Sequence, residues 1–208
     1  MKYGIDISEF QGPNYHIPKD IDFIIIRAGY GDYEDAYFKD NYAKAKALDL
    51  PIGIYWCVDP DLSAATQQMT FMEVIQNFPP TMGLWIDLEA EDLHADPIDM
   101  VHKAEFMCES CERSGYYTGI YYSASCSNIV SALTDKYDSW IACWDEDPED
   151  KFDKGTLKQY AVEKNVDRDV CYYDDLSFYN KGPVPKEDLK TALNKLIKSL
   201  EDIIDEFC

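Results

Sequence analysis

Residues 23–27 read Phe-Ile-Ile-Ile-Arg, an unbroken apolar run too short for a helix. Side chains of a strand alternate between its two faces, so a continuous apolar run asks for burial on both. That is how strands of a parallel sheet read when helices cover them. Seven more runs of strand length accompany it: Tyr3–Ile7, Ile52–Trp56, Leu84–Leu88, Thr118–Tyr122, Trp140–Trp144, Leu157–Tyr160 and Val170–Tyr173. Helical periodicity fits Phe38–Leu48, Ser63–Asn77, Pro97–Ser114 and Cys126–Leu133 between the earlier runs. Ser63 and Asp96 sit where N-caps belong, the second followed by Pro97 at a first helical position. Later the links shrink: Asp145–Thr156 is acidic without an apolar period, and Ala161–Asp169 is too short for a crossover helix. The pattern predicts an α/β chain, a TIM-like barrel of eight parallel-like strands whose last strands lack helices. An open doubly wound sheet is the alternative.

The chain of 208 residues divides into a barrel, residues 1–181, and a linker with an amphipathic helix, residues 182–208. Gly182-Pro183-Val184-Pro185 makes the break. Beyond it Leu189, Leu193, Leu196, Leu200, Ile203 and Phe207 form a heptad seam, which Ile197 and Ile204 widen. Two readings stand: a homo-oligomerisation helix, or a helix docked on its own barrel.

Forty acids against 19 Lys and Arg give a net charge of -21. Binding to nucleic-acid phosphates needs a basic face, and adsorption to anionic membranes needs one too. Neither partner is expected. No segment approaches the length of a membrane span. The opening MKYGIDIS places Asp6 inside the first apolar segment, so synthesis in the cytoplasm without a signal peptide is expected. Seven cysteines, an odd number, suggest reduced thiols. Cys108 and Cys111 fall in a helical pattern and read as one helix face, not as a metal or redox pair.

In parallel barrels the working residues stand at the C-terminal ends of the strands. Those positions are mostly acidic here: Asp6, Asp87, Glu89, Asp145, Asp167 and Asp169. Asp87 and Glu89 are two residues apart on one strand and so share a face. Like charges so close raise at least one pKa and leave a protonated acid beside a carboxylate. Glycosidic cleavage uses that combination: one group protonates the leaving oxygen and another serves the opposite side. Tyr30, Tyr55, Trp56, Trp85, Tyr121, Tyr122 and Trp144 fall on or just after the strands, and such rings stack on sugar faces or fill the core.

These segments together resemble the family 25 glycoside hydrolases, lysozymes that are N-acetylmuramidases. Gly4-Ile5-Asp6-Ile7-Ser8-Glu9-Phe10-Gln11-Gly12 is similar to that family's opening GIDxSxxQG. Phe23–Gly31, Pro51–Tyr55, Leu84–Glu89, Gly119–Tyr121, Trp140–Ala142 and Gln159-Tyr160 resemble its later strands, in family order. The resemblance implies a (β/α)5(β)3 barrel and hydrolysis of the β-1,4 bond between N-acetylmuramic acid and N-acetylglucosamine of peptidoglycan. It implies Glu89 as general acid/base, Asp87 as the group that orients the substrate's 2-acetamido arm, and Asp6 as a tuning acid. Asp167 is the best match to a fourth acid, in Val166-Asp167-Arg168-Asp169, with Asp174 the other candidate. Tyr30, Tyr55, Tyr121, Trp144 and Gln159 are the implied substrate-binding residues. Trp144 stands where a Tyr is common, and Lys158 where an aromatic is common. The partner is the peptidoglycan glycan strand, met at the cell wall or outside the cell. No metal and no cofactor is expected, because carboxylates alone run this hydrolysis.

His16, His94 and His102 form no triad, and no Ser or Cys lies beside a matching base. A barrel enzyme for a small phosphorylated metabolite needs a late Gly-rich loop, yet Gly155 is the only glycine between Gly119 and Gly182. A non-catalytic glycan-binding module on the same fold remains the alternative function. Such a module tends to lose one of its acids, whereas Asp6, Asp87 and Glu89 are all present.

Overall fold

A computed structural model describes residues 1–180 of the chain. The 182–208 linker and amphipathic helix lie outside the described residues. Strands β1 (Lys2–Ile7), β2 (Phe23–Tyr30), β4 (Ile52–Cys57), β5 (Leu84–Leu88), β6 (Thr118–Ser123), β7 (Asp138–Ala142), β8 (Gly155–Glu163) and β9 (Val166–Cys171) close into a barrel. The order runs β1-β9-β8-β7-β6-β5-β4-β2, and the pairing of β1 with β2 completes the circle. A two-residue strand, β3 (Tyr33–Glu34), lies antiparallel on β2.

The closing strand corrects the sequence reading. β9 runs antiparallel to both β8 and β1, so seven of the eight barrel strands are parallel and one is reversed. Ala161–Asp169 is not a link but most of a hairpin. Glu163 pairs with Val166 around Lys164 and Asn165, which both have positive φ (53° and 63°), the backbone of a two-residue hairpin turn. Its charged residues conceal a strand because the barrel interior at this level is polar. The strand expected at Trp140–Trp144 starts two residues earlier, at Asp138.

Helices α1 (Phe38–Ala47), α2 (Ala64–Ile75), α3 (Ala90–Ala95), α4 (Pro97–Arg113) and α5 (Ser131–Thr134) cover the early strands. Both expected N-caps form: Ser63 Oγ accepts from the Thr66 N–H at 3.1 Å, and Asp96 Oδ1 from the Asp99 N–H at 3.1 Å. On α4, Met100, Ala104, Met107, Cys108 and Cys111 make the buried stripe. Cys108 and Cys111 are therefore core residues. The helix expected over Cys126–Leu133 is a 3-10 turn, Ala124–Cys126, followed by the single turn of α5.

Two apolar regions result. One lies between strands and helices, with Ile24, Ile26, Ile54, Trp56 and Phe71. The other fills the barrel, with Phe23, Ile25, Trp85, Trp140 and Leu157. The run at 23–27 thus feeds both, as an apolar strand with two buried faces should. Large interior rings need small neighbours. A Cβ on Gly119 would stand 2.3 Å from the Trp85 ring, and one on Gly4 would stand 2.4 Å from the Phe23 ring. Tyr117 and Tyr179 pack edge to face, 4.9 Å between centroids, and with Trp85 plug the end of the barrel away from the acids.

The outside of β7 and β8 carries no helix, and an acidic loop covers it. Lys158, fully buried on β8, holds that loop from beneath. Its Nζ donates to Asp145 Oδ2 at 2.8 Å, to the Asp147 carbonyl at 2.8 Å and to the Asp150 carbonyl at 3.0 Å. An aromatic could fill this space but could not tie three loop oxygens.

Candidate active site

The loop after β1 turns on a capping box. Ser8 Oγ accepts from the Phe10 N–H at 3.3 Å, and Gln11 Oε1 accepts from the Ser8 N–H at 2.7 Å. Gln11 Nε2 then donates to the Asn165 carbonyl at 2.9 Å, tying this loop to the β8–β9 turn. The Ser–Gln spacing of the opening motif therefore has a local structural purpose. Glu9, between them, reaches Arg27 Nη2 at 2.8 Å, while Asp35 holds Arg27 Nε at 2.8 Å. Both anchors of this buried guanidinium lie outside the strand that carries it.

At this end of the barrel, a cleft of about 330 Å³ is lined by Asp6, Asp87, Glu89 and Asp167, with Tyr55, Tyr121, Trp144 and Gln159. All four expected acids and four of the five expected binding residues thus meet in one place. The fifth, Tyr30, does not line this cleft; its ring packs against Tyr33, 5.9 Å away. Asp174, the other candidate for the fourth acid, lies away from the cleft and bonds the terminal ammonium at 2.7 Å. Asp167 instead pairs directly with Asp6 across β1 and β9.

A second cavity of about 320 Å³ adjoins the first and shares Glu89, Tyr121 and Trp144 with it. Glu89 therefore stands between two spaces, a layout suited to a chain molecule cut at its middle. Trp144 is 64% exposed, and its Nε1 donates to Gln159 Oε1 at 3.0 Å. Tyr121 Oη donates to the same oxygen at 2.9 Å, and Gln159 Nε2 donates to Asp6 Oδ2 at 2.8 Å. One amide thus fixes two aromatic rings and one acid.

Sequence reasoning gave no part to Phe10 or Cys57 and named Asp169 only as one of the strand-end acids. Phe10 is 80% exposed at the cleft, with the Arg27 guanidinium 4.8 Å from its ring centre. Its place within the opening motif was the available signal. Asp169, two residues from Asp167 and on the same strand face, is fully buried and accepts from Trp140 Nε1 at 2.8 Å. Cys57 lines the cleft beside Asp87.

Burial pushes every one of these carboxyls upward, and their neighbours add to it. Asp6 rises to about 7, through burial first and the Asp167 charge second. Asp87 rises well above the ordinary range through burial and then Glu89. Glu89 rises through desolvation, then through Asp92 and Glu91. Burial raises Asp167, and burial with the Asp6 charge raises Asp169 well above its usual value. Such a site costs stability. A carboxyl with a raised folded-state pKa binds its proton more tightly folded than unfolded, so the stability it permits falls as pH climbs from about 4 to about 7. Asp6→Asn removes that titration. It should raise the melting temperature at pH 8 and give little gain near pH 4, read by thermal denaturation at both. An equal effect at the two pH values would contradict the assignment.

A barrel with an acid pair at the C-terminal end of a strand, in an aromatic cleft, has the layout of a glycoside hydrolase. The Glycosyl hydrolases family 25 profile matches residues 5–169, and the chain belongs to that family. A search of curated protein sequences finds no match. Among solved structures, a family 25 glycosyl hydrolase from Bacillus anthracis superposes with a TM-score of 0.72 at 22% identity, covering 88% of this chain and 94% of that one. A family GH25 lysozyme from Aspergillus fumigatus gives 0.72 at 20%, covering 87% and 99%. The modular autolysin LytC from Streptococcus pneumoniae, in complex with a synthetic peptidoglycan ligand, gives 0.69 at 20%, covering 82% of this chain and 46% of that one.

Proposed function

We propose that this glycoside hydrolase cleaves the β-1,4 bond between N-acetylmuramic acid and N-acetylglucosamine in peptidoglycan. The observation that carries the reading is the pair at the end of β5: Asp87 on the strand and Glu89 just beyond it enter one cleft, and Glu89 borders both of its cavities. Glu89, whose pKa its surroundings raise, gives its proton to the leaving glycosidic oxygen. Asp87, deeper and buried, orients the 2-acetamido group so that its carbonyl oxygen bonds to the anomeric carbon as the glycosidic bond breaks. Water then attacks that carbon and gives a proton to Glu89, which restores both groups. Asp6 and Asp167 keep the charge around Asp87 adjustable, and Phe10 and Trp144 offer exposed rings to sugar faces.

The relatives agree with a wall substrate, since one of them was seen with a peptidoglycan ligand and others are named lysozymes or muramidases. The site of action is then the cell wall. No helix among the described residues is long and apolar enough to cross a membrane.

Digestion of purified peptidoglycan, followed by mass spectrometry of the reduced fragments, tests this directly. Fragments ending in reducing N-acetylmuramic acid are expected. Reducing N-acetylglucosamine would move the bond, and binding without cleavage across several wall types would make the chain a glycan-binding module.

A further inference from the structure

The catalytic reading gives Cys57 no task, yet the fold places its thiol at the heart of the cleft. Cys57 ends β4, and its register partner on β5 is Asp87. Glu89 follows two residues along the same face. Among the described residues, these three offer donor atoms (one sulfur and two carboxylate oxygens) that all lie within 4.8 Å of one another. Asp87 is 4% exposed, and its Oδ1 has no hydrogen-bond partner. A buried polar oxygen left so is unusual; the catalytic reading fills it with the substrate's acetamido group, so it is open to another ligand in the free enzyme. The cation nearest at hand, Arg27, is already engaged by Glu9 and Asp35.

We propose that Cys57, Asp87 and Glu89 form a binding site for zinc(II), and that the bound ion switches the hydrolase off. The ion-binding part stands on the three side chains; the inhibitory part rests on the catalytic reading above. Zinc bonds of about 2.0–2.3 Å place tetrahedral ligands about 3.3–3.8 Å apart, so small side-chain rotations bring the three donors into range. The fourth position faces the open cleft and takes water. A thiolate in the set selects zinc over magnesium or calcium, which prefer larger all-oxygen shells. On binding, zinc–sulfur and zinc–oxygen bonds form, and the thiol proton passes to solvent together with any proton that Asp87 or Glu89 carries. Both carboxylates then face the ion, and Glu89 has no proton to give to a leaving oxygen.

Cobalt(II) titration of the full chain reads the site without reference to activity. One equivalent should produce a near-ultraviolet sulfur-to-cobalt charge-transfer band with the visible bands of a four-coordinate ion, and zinc should bleach them. Cys57→Ala should remove the band. Asp87→Asn, which keeps the shape of the side chain, should weaken binding by at least about 100-fold, the upper end of what losing even an outer partner costs. Absence of the band in the wild type, or its survival in Cys57→Ala, overturns the site. In wall lysis, zinc should slow the wild type at least about tenfold, reversibly with EDTA, and leave Cys57→Ala at its own metal-free rate. A cobalt band together with zinc-insensitive lysis would overturn the inhibition. If the chain lyses no wall at all, the spectrum still decides the ion site, and only the substrate reading fails.

Discussion

Glu89→Gln should reduce kcat on peptidoglycan by about 10²- to 10⁴-fold while KM changes little, because the amide keeps the shape and loses the proton. Glu89 is the carboxyl in this cleft that two cavities share, so it reaches both sides of a bound strand. Its raised pKa keeps it protonated to higher pH than an ordinary Glu. Wild-type kcat/KM should therefore fall on the alkaline side as that proton is lost, and the residual activity of the variant should lose this limb. Initial rates from mildly acidic to alkaline pH, with separate binding measurements on an insoluble wall, check both statements. Retained turnover in Glu89→Gln would move the acid to another carboxyl of the cleft, with Asp87 first in line. Loss of binding together with turnover would mean that Glu89 holds substrate instead of protonating it.

Asp145→Ala should destabilise the chain by about 1–2 kcal/mol, because Lys158 is fully buried but Asp145 stands at the surface, where solvent screens the pair. Burial alone would raise the Asp145 carboxyl, but the Lys158 ammonium and the Asp147 N–H together hold it below its usual value. Removing it leaves a fully buried ammonium with two carbonyls and no counter-charge. For a domain of this size that is a fall in melting temperature of roughly 2–8 °C. The double variant Lys158→Met/Asp145→Ala removes both charges and should recover much of the loss, since apolar filling often replaces a buried pair without cost. A double variant no better than Asp145→Ala would show that the loop is held by Lys158's bonds to the carbonyls and not by the pair.

The strands and the acid pair were legible because they obey short-range rules. The 23–27 run, the Leu84–Leu88 strand and the two N-caps depend on neighbours one to four residues apart, and all stand as expected. The strand-end rule gathered Asp6, Asp87, Glu89, Asp145, Asp167 and Asp169, and the family resemblance singled out Asp6, Asp87, Glu89 and Asp167; Asp145 instead lies outside the cleft on Lys158. What failed to show depends on partners far away in sequence. β9 reads as a polar link because its interior face carries Asp167 and Asp169, whose company is Asp6 and Gln159 on other strands. Lys158 reads as a departure until the loop it holds is seen above it. Tyr30 carried the aromatic signal of a sugar platform but packs beside Tyr33, because ring type does not say which way a rim residue turns. Short helix α3, directly after Glu89, has too few residues to display a period.

The closing pairing of β1 with β9 also sets a clock on the enzyme's birth. Asp6 leaves the ribosome well before its register partner Asp167, which follows only near the end of the barrel. At ~5–20 residues per second, that interval lasts roughly 8–30 s. Until then β1 has β2 alone beside it, and the acid that tunes the cleft has no opposite number. A nascent chain of this kind carries Asp87 and Glu89 through about 80 further residues of synthesis without a finished site around them. The site is complete only once the hairpin of β8 and β9 pairs with β1 and the sheet becomes a closed ring.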